Sequence, residues 1–305
     1  MPTGKLYRNG LTLGMGGNPN PVGGKRGQVE GWSVNAVRRH TRWLYAVDST
    51  RLDGHGWSLT LTLRDCPPTP EAWGVLRKRY LQRIRDTGAM VRLHWVTEWT
   101  RRKVPHMHLA IYLEPDLSPA QAHRLLIAPW LDLAAEYGVG PKGQHLAPIT
   151  GAVGWLEYLS KHAARGVAHY QRSGKPPGWE TTGRLWGHAG SWPVDEPAEI
   201  TLTRAEFFRF RRLVRAWRIA DARRELVEAA DPAARQKAVR RLVSARHMLR
   251  CDDPTLSQVR GCSEWIPEDL GMVLLEAVAG DPGGAARAPG PRGRRTRPRM
   301  TVEDF

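Results

Sequence analysis

Two histidines separated by one residue, His106 and His108, are the side chains of this sequence that best suit metal binding. They open residues 106–113 (HMHLAIYL), a run whose apolar character is typical of a β-strand. Residues i and i+2 of a strand point to the same face, so the two imidazoles would lie side by side, with Met107 facing the core. Neighbouring imidazoles can hold one divalent ion. The alternative is that these are two unrelated histidines on a half-buried strand.

Glu98 could complete this metal site with a carboxylate oxygen. Residues 90–99 (MVRLHWVTEW) predict a second strand, and the polar RRKVP that follows is short enough for a hairpin. With a turn around Arg102–Lys103, Glu98 pairs near His106. Two nitrogens and one oxygen suit Mg²⁺ or Mn²⁺ and leave positions open for a phosphate. The alternative is a surface ion pair with an arginine of the turn, because a slip of one residue would turn Glu98 to the other face.

Tyr158 is the candidate nucleophile, and Lys161 lies one helical turn after it. Trp155, Leu156 and Leu159 lie mostly on the other side of the predicted helix and can pack it onto a sheet. A phenol is a poor nucleophile because its free pKa is near ~10. A nearby cation and a metal would favour the phenolate and neutralise a phosphate in the transition state. The alternative is an amphipathic helix with a partly buried tyrosine and a solvated lysine.

The elements that must position these side chains alternate between strand and helix. Strands are predicted at 57–63, 90–99, 106–113 and, more weakly, 144–150. Helices are predicted at 70–86, from Ser118 to Tyr137 before Gly138, and from Val153 to Ala164. The fold class expected from this order is α+β, with a central antiparallel sheet flanked by helices and a helical C-terminal region after it.

The flanking segments divide the chain into four predicted parts. These are an N-terminal flexible segment and helix (1–50), a catalytic domain (51–195), a basic helical region (196–280) and a disordered basic tail (281–305). Within them, residues 1–31 are expected to lack a fold of their own, 33–47 to form a helix, and 174–193 to be a loop. Two basic amphipathic helices from Thr203 are separated by a turn at Asp231–Pro232.

Composition favours a nucleic-acid partner. The formal net charge is +16, which draws a protein to polyanions. The sequence contains no apolar run of about 18 residues that could span a bilayer, and no apolar segment typical of a secretory signal is visible. Three scattered cysteines, Cys66, Cys251 and Cys262, form no CxxC pair. We therefore expect a cytoplasmic protein that faces nucleic acid rather than a membrane surface, which is the rival partner for such a charge.

The order of these motifs resembles that of the HUH endonuclease superfamily, and more narrowly the single-tyrosine rolling-circle replication initiators of filamentous phages and small plasmids. The resemblance rests on a TLT-type strand (Ser58–Leu63), the His-hydrophobic-His strand (His106–Tyr112), the tyrosine helix (Tyr158–Lys161) and the segment Gly183–Pro193. It covers roughly residues 55–193. A second tyrosine one turn away is absent, because position 162 is His and position 154 is Gly.

The resemblance implies an enzyme that binds single-stranded or hairpin DNA at a replication origin. A divalent metal ion holds the scissile phosphate and the tyrosine attacks it. The products are a 5′-phosphotyrosine link and a free 3′-OH for a host polymerase, and reversal of this chemistry joins the released strand. The GGNPNPVGGKRG stretch is not a phosphate-binding loop, because Pro19 replaces the first glycine and Arg26 follows Lys25. A host helicase would then open the DNA.

Basic and aromatic residues around the site are candidates for DNA contacts. The basic set is Arg101, Arg102, Lys103, Arg165, Arg172 and Lys175. Each could bind a phosphate or simply belong to a solvated turn. Trp179, Trp186 and Trp192 could stack on bases or fill the core, and Tyr170 could contact DNA or serve the structure.

Other functions remain open at this point. A HIT-type nucleotide hydrolase needs a third histidine at position 110, which is Ala110, so that class is excluded. A transposase or mobilisation relaxase of the same superfamily shares the histidine pair and the tyrosine. A non-catalytic DNA-binding regulator on the same fold would form no covalent link to DNA.

Overall fold

A five-stranded antiparallel sheet forms the centre of the protein. The computed structural model describes residues 1–15, 27–163, 165–249, 259 and 261–279. The strands of this central sheet are β3 (His55–Thr62), β4 (Met90–Trp99), β5 (Pro105–Leu113), β6 (His145–Ile149) and β7 (Trp186–Gly190), in the spatial order β6-β3-β5-β4-β7. All its strand pairs are antiparallel, which confirms the predicted fold class.

The hairpin of β4 and β5 occupies the middle of this sheet. It turns at Arg102–Lys103, where the Lys103 N–H donates to the Thr100 carbonyl, and Lys103 adopts a left-handed backbone conformation with φ of 62°. Every residue of β5 is buried, because both faces of the strand are covered. The predicted hairpin is therefore confirmed.

Each face of the central sheet packs against its own helices. One face packs on α2 (Pro70–Arg85) and α4 (Ala128–Leu133), through Leu59, Leu61, Met107, Leu109 and Ile111 against Trp73, Tyr80 and Trp130. The other face packs on α1 (Val34–Ala46) and α5 (Gly151–Ala163), through Ala110 and Tyr112 against Leu44, Tyr45, Trp155 and Tyr158. Strand alternation separates the two sets, since successive side chains point to opposite faces.

The single helix expected from Ser118 to Tyr137 is segmented. Its parts are α3 (Pro119–Ala122), a π-helical turn (His123–Ile127), α4 and a 3₁₀ turn (Ala135–Tyr137). Pro129 explains the break, because a proline donates no backbone hydrogen bond and its ring collides with the preceding turn. Gly138 ends the segment in a left-handed conformation, with φ of 62°, as predicted.

A second sheet joins the two ends of the described chain. Its strands are β1 (Pro2–Tyr7), β2 (Gly10–Met15), β8 (Ala198–Thr201) and β9 (Cys262–Glu264), in the order β8-β1-β2-β9. The expectation that residues 1–31 lack a fold is therefore wrong for residues 2–15. Leu6, Leu11 and Leu13 are buried against side chains that lie some 200 residues later, so local sequence gave no sign of them.

The C-terminal region is mostly helical, as predicted. Its helices are α7 (Arg204–Glu228), α8 (Pro232–His247) and α9 (Glu268–Ala279), and the short α6 (Tyr170–Ser173) precedes this region. Asp231 caps α8 and Pro232 is its first residue, so the predicted turn is confirmed. Two local predictions were incomplete, because β7 lies in the expected loop 174–193 and two strands lie in the region expected to be helical. Further 3₁₀ turns are Ser49–Arg51 and Pro141–Gly143.

Some sequence predictions fall outside the described residues. These are the tail at 281–305, the Gly-rich stretch at 16–26 and Cys251, while Cys66 and Cys262 are free thiols. The domain boundaries at residues 50 and 195 remain predictions. Among the described helices, none has both the length and the apolar character needed to cross a bilayer.

Candidate active site

His106, His108 and Glu98 form a buried cluster on one face of the central sheet. Glu98 on β4 pairs directly with His106 on β5, which is the predicted register. Possible ligand atoms of the three side chains all lie within 4.8 Å of one another. The two histidine Nε2 atoms are 2.9 Å apart, and Glu98 Oε2 lies 3.5 Å from His108 Nε2. This set of donors could hold a metal ion.

Strand β3 orients the second histidine. Thr60 pairs with His108 across the β3–β5 ladder, and its Oγ1 lies 3.0 Å from His108 Nδ1. This contact leaves Nε2 directed at the cluster, as metal-binding histidines require. Gln171 on α6 places its amide nitrogen 3.3 Å from His106 Nε2. The TLT-type strand therefore contributes a positioning hydroxyl as well as packing.

Two arginines neutralise the Glu98 carboxylate. The Arg165 guanidinium bonds Glu98 Oε2, and Arg172 Nε lies 3.4 Å from Oε1. Arg172 is 2% exposed, also bonds the His162 carbonyl and lies over the ring of Trp32. Burial lowers the pKa of Arg172 to about 10, so it stays charged at neutral pH. The Arg172 donors are therefore used inside the protein, and its predicted DNA contact stays a prediction.

Tyr158 packs on the same face of the sheet as the cluster. Its hydroxyl lies 3.0 Å from Nδ1 of His94, a residue that shares a face of β4 with Glu98. The His162 ring lies between the tyrosine and the cluster, 4.6 Å from the Tyr158 ring and 5.0 Å from the His108 ring, centroid to centroid. Burial and the charge of Glu98 raise the pKa of Tyr158 well above its usual value. The phenol is therefore protonated at neutral pH.

Three buried histidines near Tyr158 were missed by the sequence analysis. His94 and His162 contact the tyrosine, and His40 on α1 lies 3.0 Å from His94, Nε2 to Nε2. Burial lowers the pKa of each, so all three rings are neutral at neutral pH. His94 could have been found by its spacing of four from Glu98 on a predicted strand. His40 stands alone on a helix and gave no signal.

The residues predicted to bind DNA differ in their exposure and in the groups they contact. Arg101, Arg102 and Lys103 are exposed at the β4–β5 turn. Arg101 lies 5.5 Å from the ring centre of Tyr170, which is 47% exposed, whereas Arg102 reaches the Leu63 and Arg64 carbonyls. Lys175 donates to the Glu30 and Glu180 carbonyls. The side chain of Lys161 lies outside the described residues.

The three tryptophans of the 174–193 segment serve packing. Trp179 is 3% exposed and meets Trp99 edge to face, with ring centres 5.9 Å apart. Trp186 and Trp192 are partly buried and pack against the two cores of the central sheet. Of the two interpretations offered for these residues, core packing is the one their burial supports.

The chain is similar to proteins named for replication. It is 43% identical over 278 residues to the replication-associated protein G2P of Pseudomonas phage Pf3, covering 89% of this chain and 95% of the relative. It is 43% identical over 293 residues to a candidate replication protein of Xylella fastidiosa strain 9a5c, covering 92% and 97%. A further candidate replication protein, from strain Temecula1, is 44% identical over 278 residues, covering 87% and 99%. No solved structure shows significant similarity to the chain.

A family model matches the segment that carries the candidate site. The model is that of the replication-associated protein ORF2/G2P, and it matches residues 56–164, which include Glu98, His106, His108 and Tyr158. The expected kinship with phage replication initiators is confirmed by this match and by identity along most of the chain. The chain therefore belongs to the replication-associated protein ORF2/G2P family.

Proposed function

We propose that this protein initiates rolling-circle replication by nicking and rejoining single-stranded DNA at an origin through a covalent bond to Tyr158. One observation carries the proposal. Tyr158 and the cluster of His106, His108 and Glu98 lie on one face of the central sheet, with the ring of His162 in contact with both. A nucleophile and a metal-binding set on one surface can act on the same phosphate.

The proposed nucleophile is the Tyr158 hydroxyl oxygen. It attacks the scissile phosphorus, forms a P–O bond to the 5′ side, and releases the 3′ oxygen, which takes a proton from water. The free 3′-OH can then prime a host polymerase. The reverse reaction, attack of a 3′-OH on the phosphotyrosine, joins the strand. Lys161 is proposed to neutralise phosphate charge, and its replacement by alanine should slow cleavage less than loss of the tyrosine oxygen.

His106, His108 and Glu98 fit a divalent ion, which we propose to be Mg²⁺ or Mn²⁺. The donor set of two imidazole nitrogens and a carboxylate oxygen suits either ion, and the ion would polarise the scissile phosphate as a Lewis acid. The protein contributes the orientation. Thr60 fixes the His108 ring, and the paired guanidinium groups keep Glu98 ionised and in place.

DNA is proposed to approach along the β4–β5 turn. Arg101 and Lys103 are exposed there, and Arg101 with Tyr170 offers a cation above an aromatic ring on which a base could stack. Each phosphate contact should add about 0.7 to the slope of log affinity against log salt on a single strand. Arg165 bonds Glu98 and keeps partial exposure, so it is the candidate for contact with the scissile phosphate.

A host helicase and polymerase in the bacterial cytoplasm are the proposed partners. The sequence has no GxxxxGK loop of the kind that motor ATPases use, so strand opening is assigned to another protein. The names of the relatives support a replication initiator over a transposase or relaxase. A regulator without catalysis would form no adduct, and that difference can be measured.

The test is a covalent protein–DNA adduct that survives denaturation. The protein is incubated with single-stranded oligonucleotides of origin hairpin type and Mn²⁺, then resolved on a denaturing gel. We expect Tyr158→Phe to keep DNA affinity and lose at least ~100-fold in adduct formation, because only the attacking oxygen is removed.

Tyr112→Phe is the matched control. Tyr112 is 3% exposed on the same face of the sheet, and its hydroxyl has no hydrogen-bond partner among the described residues. This variant should nick like the wild type. A Tyr158→Phe protein that still forms the adduct would eliminate Tyr158 as the nucleophile.

A further inference from the structure

A chain of hydrogen bonds leads from the Tyr158 hydroxyl into the protein interior. The hydroxyl lies 3.0 Å from His94 Nδ1, and His94 Nε2 lies 3.0 Å from His40 Nε2. His94 and His40 are fully buried, and Tyr158 is 8% exposed. Water therefore has little access to Tyr158, and His94 Nδ1 is a protein group within hydrogen-bond distance of its hydroxyl.

With both histidine rings neutral, the hydrogen bonds of this chain can run in either of two directions. Burial lowers the pKa of His94 to about 3 and that of His40 well below its usual value, so both rings are neutral and each carries one N–H. If Tyr158 donates its proton to His94 Nδ1, then His94 Nε2 carries the N–H and donates it to His40 Nε2. In the opposite order His94 Nδ1 carries the N–H and donates it to the Tyr158 oxygen, and His94 Nε2 accepts from His40 Nε2. Only the first arrangement leaves His94 Nδ1 as an acceptor at the reacting oxygen.

Aromatic packing fixes the His94 ring in this orientation. Trp43 of α1 stacks on His94 at 4.7 Å and on His188 of β7 at 4.6 Å, centroid to centroid. The His40 ring stacks on His94 at 5.1 Å, and Trp186 lies against His40. An imidazole held by rings and by hydrogen bonds at both nitrogens cannot rotate away from the phenol.

We propose that His94 is the general base of the nicking reaction, taking the Tyr158 proton as the phenol oxygen attacks, and that His40 is its positioning residue. This inference rests on the proposed function. In the forward step the Tyr158 O–H bond breaks, the proton bonds His94 Nδ1, and the Nε2 proton of His94 can pass to His40 Nε2. The phenol oxygen bonds phosphorus, and the 3′ oxygen leaves with its electron pair and takes a proton from water. On rejoining, the same path returns the proton to Tyr158.

The chief test is His94→Asn, measured by single-turnover nicking of an origin-type oligonucleotide with Mn²⁺. The asparagine oxygen can accept the hydroxyl hydrogen bond near the Nδ1 position but cannot take the proton. We expect roughly 10²–10⁴-fold slower nicking with unchanged DNA affinity. Nicking within tenfold of the wild-type rate would overturn the proposal.

Replacement of Tyr158 by a fluorinated tyrosine distinguishes a loss of proton transfer from a structural defect as the cause of slow nicking. Fluorine makes the phenol more acidic, so the reaction depends less on a base. In the His94→Asn background we expect this replacement to recover at least tenfold of the lost rate. A slow variant that gains nothing from the more acidic phenol would show that His94 only supports the structure.

A pair of substitutions at position 40 tests the positioning residue without touching His94. His40→Gln keeps an acceptor for the His94 N–H, whereas His40→Leu fills a similar volume without one. We expect the leucine variant to nick roughly 10–100-fold more slowly than the glutamine variant, which keeps the hydrogen bond to His94 but cannot take its proton. Equal rates in the two variants would contradict the relay, and this pair decides the matter if His94→Asn fails to fold.

Adduct formation by the wild-type protein distinguishes a failure of this inference from a failure of the proposed function. If the wild type forms no adduct with DNA, the proposed function itself fails. If the wild type forms the adduct and the His94 and His40 variants do so at its rate, only the base assignment fails.

Discussion

Glu98 is at the centre of the charge interactions in the candidate site. Its carboxylate contacts Arg165, Arg172 and His108 and is fully buried. A buried carboxylate without partners would protonate, because burial disfavours the charged form. The two guanidinium groups keep it ionised, and an ionised oxygen is the form that binds a metal. Through Glu98, Arg165 and Arg172 would therefore act on any metal ion that the cluster holds.

Removal of divalent metal should stop nicking. We expect EDTA to abolish adduct formation and added Mn²⁺ to restore it, because the proposed chemistry needs a cation on the phosphate. His108→Ala should abolish the metal-dependent reaction while the protein stays folded, as judged by circular dichroism.

The matched control for this substitution is His123→Ala, since His123 is exposed on the π-helical turn. It should nick at the wild-type rate. Nicking that continues in excess chelator would count against a metal site at the cluster.

The three residues of the candidate metal cluster could be predicted from sequence, whereas the buried histidines beside Tyr158 could not. His106, His108 and Glu98 follow from strand alternation and a short hairpin, and the structure brings them together. His94 and His40 meet only through the packing of α1 on the sheet, and no sequence pattern encodes that contact. The burial of Arg172 could not be predicted either, because a basic residue in a polar run gives no sign that it is buried.

Strand β3 contacts the candidate site through the Thr60 hydroxyl, which lies beside the His108 ring. Thr60 and Thr62 share a face of the strand, but Thr60 bonds His108 whereas Thr62 bonds the Gly143 carbonyl. We expect Thr60→Val, which keeps the shape of the side chain, to raise the Mn²⁺ concentration needed for half-maximal nicking by roughly 10–100-fold. Titration of nicking against Mn²⁺ measures this.

Thr62→Val is the control on the same strand. It loses a hydrogen bond of similar length that does not reach a histidine, so the Mn²⁺ requirement should not change. An equal requirement in both variants would remove the Thr60 hydroxyl from the site.

At the level of elements, local signals predicted helices and strands well where partners are near in sequence. The β4–β5 hairpin and the capped helices α2, α7 and α8 begin and end close to their predicted residues. Pro129 was visible in the predicted helix, yet its effect, a π-helical turn before α4, depends on how the helix packs on the sheet. Strands β7, β8 and β9 were missed because each has only three to five residues and pairs with distant segments.

At the scale of the whole molecule, the second sheet and the central sheet are joined through α1. Asn9, in the turn between β1 and β2, donates its side-chain amide to the Tyr45 and Val47 carbonyls at the end of α1. The same helix carries His40 and Trp43 to the candidate site. The small sheet thus supports the helix that orients the proposed base.

Loss of packing in the second sheet should destabilise the protein. Leu11 is fully buried among Leu6, Phe207 and Phe210. We expect Leu11→Ala to lower the free energy of unfolding by roughly 2–5 kcal/mol, since it leaves a cavity in a packed core. Thermal or urea unfolding followed by circular dichroism measures the change.

Val227→Ala is a suitable control, because Val227 is 87% exposed at the end of α7. Its effect should stay within ~0.5 kcal/mol. If the two variants unfold alike, the small sheet does not contribute to the stability of the fold.

The strand order of the second sheet has a consequence for how the protein is made. The hairpin of β1 and β2 is synthesised well before its neighbours, because β8 and β9 begin at Ala198 and Cys262. The central sheet, complete at Gly190, can form while translation continues. The β1–β2 hairpin therefore has two unpaired edges until β8 and then β9 have been synthesised, and unpaired strand edges can pair with other chains.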